Sequence, residues 1–323
     1  MNKKKDEKVI KKYLLRKYSR EISVEHLKSP NFDFWSHSDP WVLLNLVEKM
    51  FVYYKLVTFC GLDSKTFKEF LGEVYRNYNW NPYHNFNHAF CVTQMMFAII
   101  SKVDWFTTKE VFVLLISAFC HDLDHPGTNN KFQIAANTPL FKEQGGISIL
   151  EKHHTCLTKR LLEKQMQLLK NFQAKEKKEI LCEIELLILA TDMAFHMEYY
   201  KSLKEIVGSF DRKNKEHRRK LRTALIKACD ISNEARPFPV SNQWADCLLT
   251  EFFMQGDQES HLGLPVTPCM DRHAVDKGIS QAQFIEQFTL PLFETLNQVL
   301  PLAPFVTNIK RNLQLYRELK EEI

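Results

Sequence analysis

Glycine is scarce in this chain, 9 of 323 residues. Sheet-rich folds spend more glycine on tight turns and phosphate-binding loops, so helices are favoured before any pattern is read. The eight cysteines (60, 91, 120, 156, 182, 229, 247 and 269) include no Cys-x-x-Cys pair. That spacing removes zinc-finger and thioredoxin-like readings. Cysteines set in apolar stretches, as in Phe119-Cys120 and Cys247-Leu248, read as buried hydrophobes in a reducing compartment, and a cytoplasmic location is expected. No apolar segment of about 7–15 residues follows the charged N-terminus, so a secretory signal is not expected. The longest apolar run, near Val111–Cys120, is about half a membrane span. No period-two alternation lasts long enough to claim a sheet, and neither internal repeats nor low-complexity linkers are present.

What is present is ordinary globular composition, 45% hydrophobic and 26% charged. The formal charge of +5 is unevenly placed: the first twenty residues hold nine Lys/Arg and two acids, +7, which leaves −2 on the other 303. The expected organisation is a basic tail over 1–25, mobile or weakly tethered to an anionic surface, on a single helical domain over 26–323. The one internal charge run, Lys213–Lys220 (KNKEHRRK), reads as a solvated helix start. The body lacks basic stripes interleaved with aromatics, so no nucleic-acid partner is expected.

Helical periodicity recurs throughout. After Ser64, residues Phe67, Phe70, Leu71, Val74, Tyr75 and Tyr78 fall on one helical face. Thr107-Thr-Lys-Glu110 ahead of VFVLLISAFC has the form of a capping box before a buried helix. Further helices are expected over 41–59, 88–102, 147–169, 176–206, 215–230, 240–255, 276–298 and 306–321, with Pro291 kinking or breaking its segment. The fold class is all-α: a compact multi-helix domain.

Six of the twelve histidines lie between residues 84 and 154, in pairs: His84 and His88, His121 and His125, His153 and His154. Spacing of i and i+4 puts His84 and His88 on one helical face. His121-Asp122 adds an imidazole and a carboxylate together, beside the acids Asp124 and Glu151. Nitrogen and oxygen ligands of this kind suit Zn²⁺ or another transition metal, while carboxylates and water suit Mg²⁺ or Mn²⁺. A carboxylate can bridge two ions about 3.5–4 Å apart, the arrangement that clamps an in-line displacement at phosphorus. The absence of cysteine from the set argues against a structural zinc site.

YHNFNHA, then HDLDHPGTNN, LEKHH, LATDM and KACDISNEARP, in that order, resemble the catalytic domain of class I cyclic nucleotide phosphodiesterases, HD-type metallohydrolases. The resemblance runs from about residue 41 to 320. WADCLLTEFFMQ, GLPVTPCMDR, LPLFETL and Cys91 are similar to the type 9, cGMP-specific enzymes. It implies a tightly held ion, commonly Zn²⁺, on His88, His121, Asp122 and Asp230, and a second, Mg²⁺ or Mn²⁺, reached through Asp122. His125, Glu151 and Thr191 would hold the second ion's waters, and His84 would protonate the leaving 3′ oxygen. The implied reaction cleaves the 3′ ester of a 3′,5′-cyclic nucleotide to the 5′-monophosphate, ending a second-messenger signal.

For the base, the resemblance implies Gln281 at the purine edge, Phe284 and Leu248 as two jaws, and Asn233, Phe252 and Met193 nearby. Type 9 enzymes usually carry Tyr at the position of Phe252, Phe at Cys269 and Ala at Ser280. A hydroxyl lost or gained beside the base alters guanine against adenine preference by about 1–3 kcal/mol per hydrogen bond. cGMP is favoured, with a cAMP-selective or dual-specificity enzyme, or another HD-type phosphohydrolase, as alternatives. Homodimerisation, common in that family, is a further expectation.

Overall fold

The structure is a computed structural model that describes residues 2–15 and 22–319. Helices follow one another without a strand among the described residues. They begin with α1 (Asn2–Leu15), α2 (Val24–Leu27), α3 (Pro40–Tyr53), α4 (Leu56–Phe59), α5 (Ser64–Arg76) and α6 (Phe86–Ile100). Next come α7 (Thr108–Cys120), α8 (Asn130–Ala135), α9 (Pro139–Gln144), α10 (Ile149–Arg160), α11 (Ala174–Leu189) and α12 (His196–Val207). The chain closes with α13 (Lys215–Asp230), α14 (Phe238–His261), α15 (Lys277–Phe284), α16 (Leu290–Leu296) and α17 (Ala303–Glu318). No helix among the described residues is long and apolar enough to cross a membrane.

Three helices form the centre. In α6 every residue except Asn87 is buried, in α7 the whole run Val111–Cys120, and in α13 the run Leu221–Cys229. A helix apolar on all sides needs neighbours all round, and α6 packs on α7, α13 and α3 while α7 packs on α11 and α13. Each fully buried large apolar side chain contributes roughly 1.5–3 kcal/mol. The expected capping box starts α7: Thr107 Oγ1 accepts from the Glu110 N–H, and Glu110 accepts from the Thr107 N–H. His88 sits in the first turn of α6, His121 follows the last residue of α7, and Asp230 ends α13. The start of α6 thus meets the ends of α7 and α13, and one end of the core gathers these side chains.

Three local expectations change. Residues 2–15, read as part of a basic tail, form α1, which packs on α3 and α5. Ile10 and Tyr13 are buried, and the Tyr13 hydroxyl donates to Glu48 at 3.1 Å. The charge count hid this apolar i, i+3 pair. Residues 16–21 of the expected tail lie outside the described residues.

The continuous helix expected over 176–206 is interrupted between α11 and α12. The Asp192 carboxylate accepts from the Ala194 N–H, restarting the helix after a tight turn. Lys55, at φ 56°, likewise divides 41–59 into α3 and α4. Pro291 does disturb its segment: a π-helical turn, Ile285–Thr289, precedes α16 and absorbs the missing donor.

Candidate metal centre and active site

His88 Nε2 and His121 Nε2 each lie 3.1 Å from Asp230 Oδ1. Asp122 Oδ2 is 3.2 Å from His121 Nε2 and 3.6 Å from His88 Nε2. Each of these four residues offers a ligand atom within 4.8 Å of the others. An ion with bonds of about 2.0–2.2 Å spaces its tetrahedral ligands roughly 3.3–3.6 Å apart. The four separations, 3.1 to 3.6 Å, lie at or slightly inside that spacing. Asp122 Oδ2 is buried and has no hydrogen-bond partner, an orphaned acceptor that a cation would satisfy. His121 Nδ1 lies 3.0 Å from the Ala118 carbonyl; donation there leaves Nε2 with its lone pair toward the quartet. His88 and His121, 1% and 0% exposed, form the floor. Burial raises the pKa of both carboxylates, yet the imidazoles, His121 foremost, reverse this and hold Asp122 and Asp230 well below the usual carboxylate range.

Above this floor opens a 510 Å³ cavity, a volume suited to a small ligand. His84, His125 and Glu251 stand on its wall. Asn85 caps α6 by accepting from the Asn87 and His88 N–H groups, which fixes the segment between His84 and His88. Glu251 Oε2 accepts from the backbone N–H groups of Tyr83 (2.8 Å) and His84 (2.9 Å), while Oε1 meets His84 Nδ1 at 2.5 Å. Burial pushes the His84 pKa down. The Glu251 charge and hydrogen bond, with Asp122 and Asp230 behind it, outweigh burial and raise it to about 9.

The rings of His84 and His125 stack with centroids 4.1 Å apart. Burial and the His84 charge push His125 well below its ordinary value. Its Nδ1 accepts from the Gly127 N–H at 3.0 Å, so neutral His125 carries its proton on Nε2. Two imidazoles in contact are therefore driven apart, one charged and one neutral.

Glu151, in the first turn of α10, accepts from Asn130 Nδ2 at 3.0 Å. Burial and the nearby Asp192 raise its pKa to about 7. Thr191, in the turn after α11, donates its hydroxyl to the Ile188 carbonyl at 2.7 Å, which leaves its oxygen free to accept. Both line the cavity, as do Met193 and Phe252. Leu248, Asn233, Gln281 and Phe284 are not among its lining residues. Leu248 is half-buried one turn before Phe252 on α14. Gln281 is buried on α15, and Phe284 packs on Phe288 with centroids 5.3 Å apart. Asn233 is buried, and its amide donates to the Tyr83 hydroxyl at 2.7 Å.

Two residues were missed. Glu251 stands 167 positions from His84 and carries no local signal. His154 was noticed only as one of a pair. Its Nδ1 lies 2.6 Å from the Leu123 carbonyl, and its Nε2 faces Asp122 Oδ1 at 3.7 Å. Its i, i+3 spacing from Glu151 on α10 was the available signal.

Fold and site together define an all-helical protein with a histidine–aspartate cluster able to hold a metal ion beneath a ligand-sized cavity. Residues 83–309 match the family model for 3′5′-cyclic nucleotide phosphodiesterase, and the chain belongs to that family. Over 304 residues it is 40% identical to the high affinity cGMP-specific 3′,5′-cyclic phosphodiesterase 9A of Homo sapiens, covering 92% of this chain and 51% of that one. The cGMP-specific 3′,5′-cGMP phosphodiesterase 3 of Dictyostelium discoideum is 37% identical over 311 residues, covering 94% of this chain and 66% of the relative. The crystal structure of the phosphodiesterase domain of a RhoPDE fusion protein from the choanoflagellate Salpingoeca rosetta superposes with TM-score 0.85 at 28% identity, covering 90% of this chain and 95% of that one. The chain spans about half the length of the human relative.

Proposed function

We propose that this chain hydrolyses the 3′ phosphoester of a 3′,5′-cyclic nucleotide, with cGMP preferred, releasing the 5′-monophosphate. The observation that carries this reading is the convergence of His88, His121, Asp122 and Asp230 beneath a cavity whose wall holds His84. Those four residues would hold a Zn²⁺ ion, and Asp122 would reach toward a second ion, Mg²⁺ or Mn²⁺. When bound, such a pair supplies Lewis-acid stabilisation of the phosphoryl oxygens and lowers the pKa of water.

The remaining steps belong to the chain. His125, Glu151 and Thr191 orient water at the second site, Thr191 with the acceptor left free by its bond to Ile188. His84, held as an imidazolium by Glu251, donates a proton to the departing 3′ oxygen. For the base, Phe252 and Met193 form the cavity wall. Leu248, one turn along α14, Gln281 and Phe284 on the adjoining α15, and Asn233 would complete the base site beyond the residues that line the cavity. The preference for cGMP is supported by the cGMP-specific naming of the human and Dictyostelium relatives.

The deciding experiment is kcat/KM for cGMP and cAMP on metal-replete protein, with bound metals quantified. Turnover with a clear excess for cGMP is expected. Equal values would overturn the base preference, and no turnover of either nucleotide would overturn the reaction. Assembly as a homodimer and location in the cytoplasm are proposed alongside, the first measured by sedimentation.

A further inference from the structure

Lys227 is 2% exposed, on α13 one turn before Asp230. Its ammonium forms no ion pair within 4 Å among the described residues. Instead it donates to two backbone carbonyls, Ala190 at 2.8 Å and Asp192 at 3.1 Å, and faces the Tyr199 ring at 5.7 Å. A buried cation without a carboxylate partner is costly and needs a reason. Ala190 is the C-cap of α11, immediately after Leu189. Its carbonyl lies at the negative end of that helix, where a cation is favoured and the terminal acceptors lack partners. The ammonium thus closes α11 from another helix.

The turn closed in this way is the one that presents Thr191. Asp192 in the same turn accepts from Ser148 Oγ at 2.7 Å, and Ser148 immediately precedes α10, whose first turn holds Glu151. One buried ammonium therefore ties Asp230 on α13 to Thr191, and through Asp192 and Ser148 to Glu151. We propose that Lys227 is a positioning residue that sets the water-holding side of the second metal site against the tight site. This rests on the two-metal reading above. Lys227 is not among the residues that line the cavity; it acts through the Ala190–Asp192 backbone.

The test uses zinc-loaded protein titrated with Mn²⁺, with free Mn²⁺ followed by electron paramagnetic resonance, beside steady-state kinetics. Lys227→Met should weaken Mn²⁺ binding and lower kcat by about 10–100-fold, the range for groups that orient metal ligands. Zinc stoichiometry and KM should stay near wild type. Lys227→Arg, which keeps charge and donors, should recover most of the loss. If Lys227→Met does not fold, the Arg variant and Lys227→Gln give the same comparison. Wild-type Mn²⁺ binding in Lys227→Met would overturn the inference while leaving the two-metal reading intact. So would parallel loss of zinc, Mn²⁺ and melting temperature without rescue by Arg. Failure of the wild-type protein to bind a second ion would overturn both.

Discussion

Glu251 Oε1 lies 2.5 Å from His84 Nδ1 across 167 positions of sequence, and its other oxygen accepts the backbone N–H groups of Tyr83 and His84. One carboxylate thus fixes both the place and the charge of the imidazole. Removing the ring and removing its partner should have different signatures. His84→Ala should lose turnover on a cyclic nucleotide by about 10²–10⁴-fold, the usual worth of a general acid, while keeping its metals. Glu251→Gln should lose about 10–100-fold. Both losses should shrink on bis(4-nitrophenyl) phosphate, whose leaving group needs no proton. Near wild-type cyclic nucleotide hydrolysis by His84→Ala, with metal content verified, would end the acid assignment.

Asp122 is the carboxylate that faces both ways. Oδ2 lies 3.2 Å from His121 and has no hydrogen-bond partner, while Oδ1 faces His154 at 3.7 Å. A residue shared between two ions should affect both when changed. Asp122→Asn should reduce zinc and second-metal stoichiometry together, measured by plasma mass spectrometry after dialysis, and turnover should fall below detection. Undiminished zinc would show that Asp122 is not shared.

The histidine–aspartate cluster was legible in part because part of its signal is local, whereas Asp230, 142 positions from His88, came from the family resemblance. His84 and His88 lie four apart, although His84 sits in the turn ahead of α6 rather than on its face, and His121-Asp122 are adjacent at the end of an apolar run. The all-α class followed from glycine scarcity and from faces such as Phe67–Tyr75. What sequence could not carry was long-range pairing. Glu251 meets His84 only because α14 crosses the start of α6, and no periodicity encodes that crossing. The break at 190–195 was hidden because the residues on both sides keep a helical pattern, and Asp192 as a cap is visible only once the turn exists. The placing of Gln281 and Phe284 came from family resemblance, since a buried Gln and a half-buried Phe look like any helix interior. In α1, charge composition masked Ile10 and Tyr13.

Glu110 ties the start of α7 to α13, at the opposite end from His121 and Asp230. It accepts from Thr107, from Arg218 at 2.8 Å and from Arg222 at 2.6 Å, with its side chain 13% exposed. Burial raises its pKa, but the Arg218 bond, the Thr107 bonds and the Arg222 charge together lower it below its ordinary 4.5. A folded-state pKa below the unfolded value contributes stability above the unfolded pKa, and that stability is lost as pH falls through the folded one. Glu110→Gln should therefore cost about 3 kcal/mol at pH 7, because Arg218 loses its carboxylate and Arg222 keeps only Glu183. Chemical denaturation at several pH values should show the gap to wild type narrowing below about pH 4.5. A gap independent of pH would show that the charge contributes nothing.

Gly256 lies on α14 one residue after Gln255, and a Cβ there would stand 2.1 Å from the Met270 carbonyl oxygen. Glycine is required because the Thr267–Met270 segment packs directly on the helix. The same helix also holds that segment through Glu259, which accepts from the Thr267 N–H at 2.6 Å and its hydroxyl at 2.9 Å. Thr267, Cys269 and Met270 all line the cavity. Gly256→Ala must push this wall away from α14, an overpacking change worth about 1–3 kcal/mol. Phe252 lines the same cavity as the displaced wall, so KM for cyclic nucleotide should rise more than kcat falls. Metal content should not change, because the quartet sits on α6, α7 and α13. The measurement is the KM-to-kcat split together with the denaturation midpoint. Unchanged KM in a destabilised variant would show that the Thr267–Met270 wall takes no part in holding the substrate.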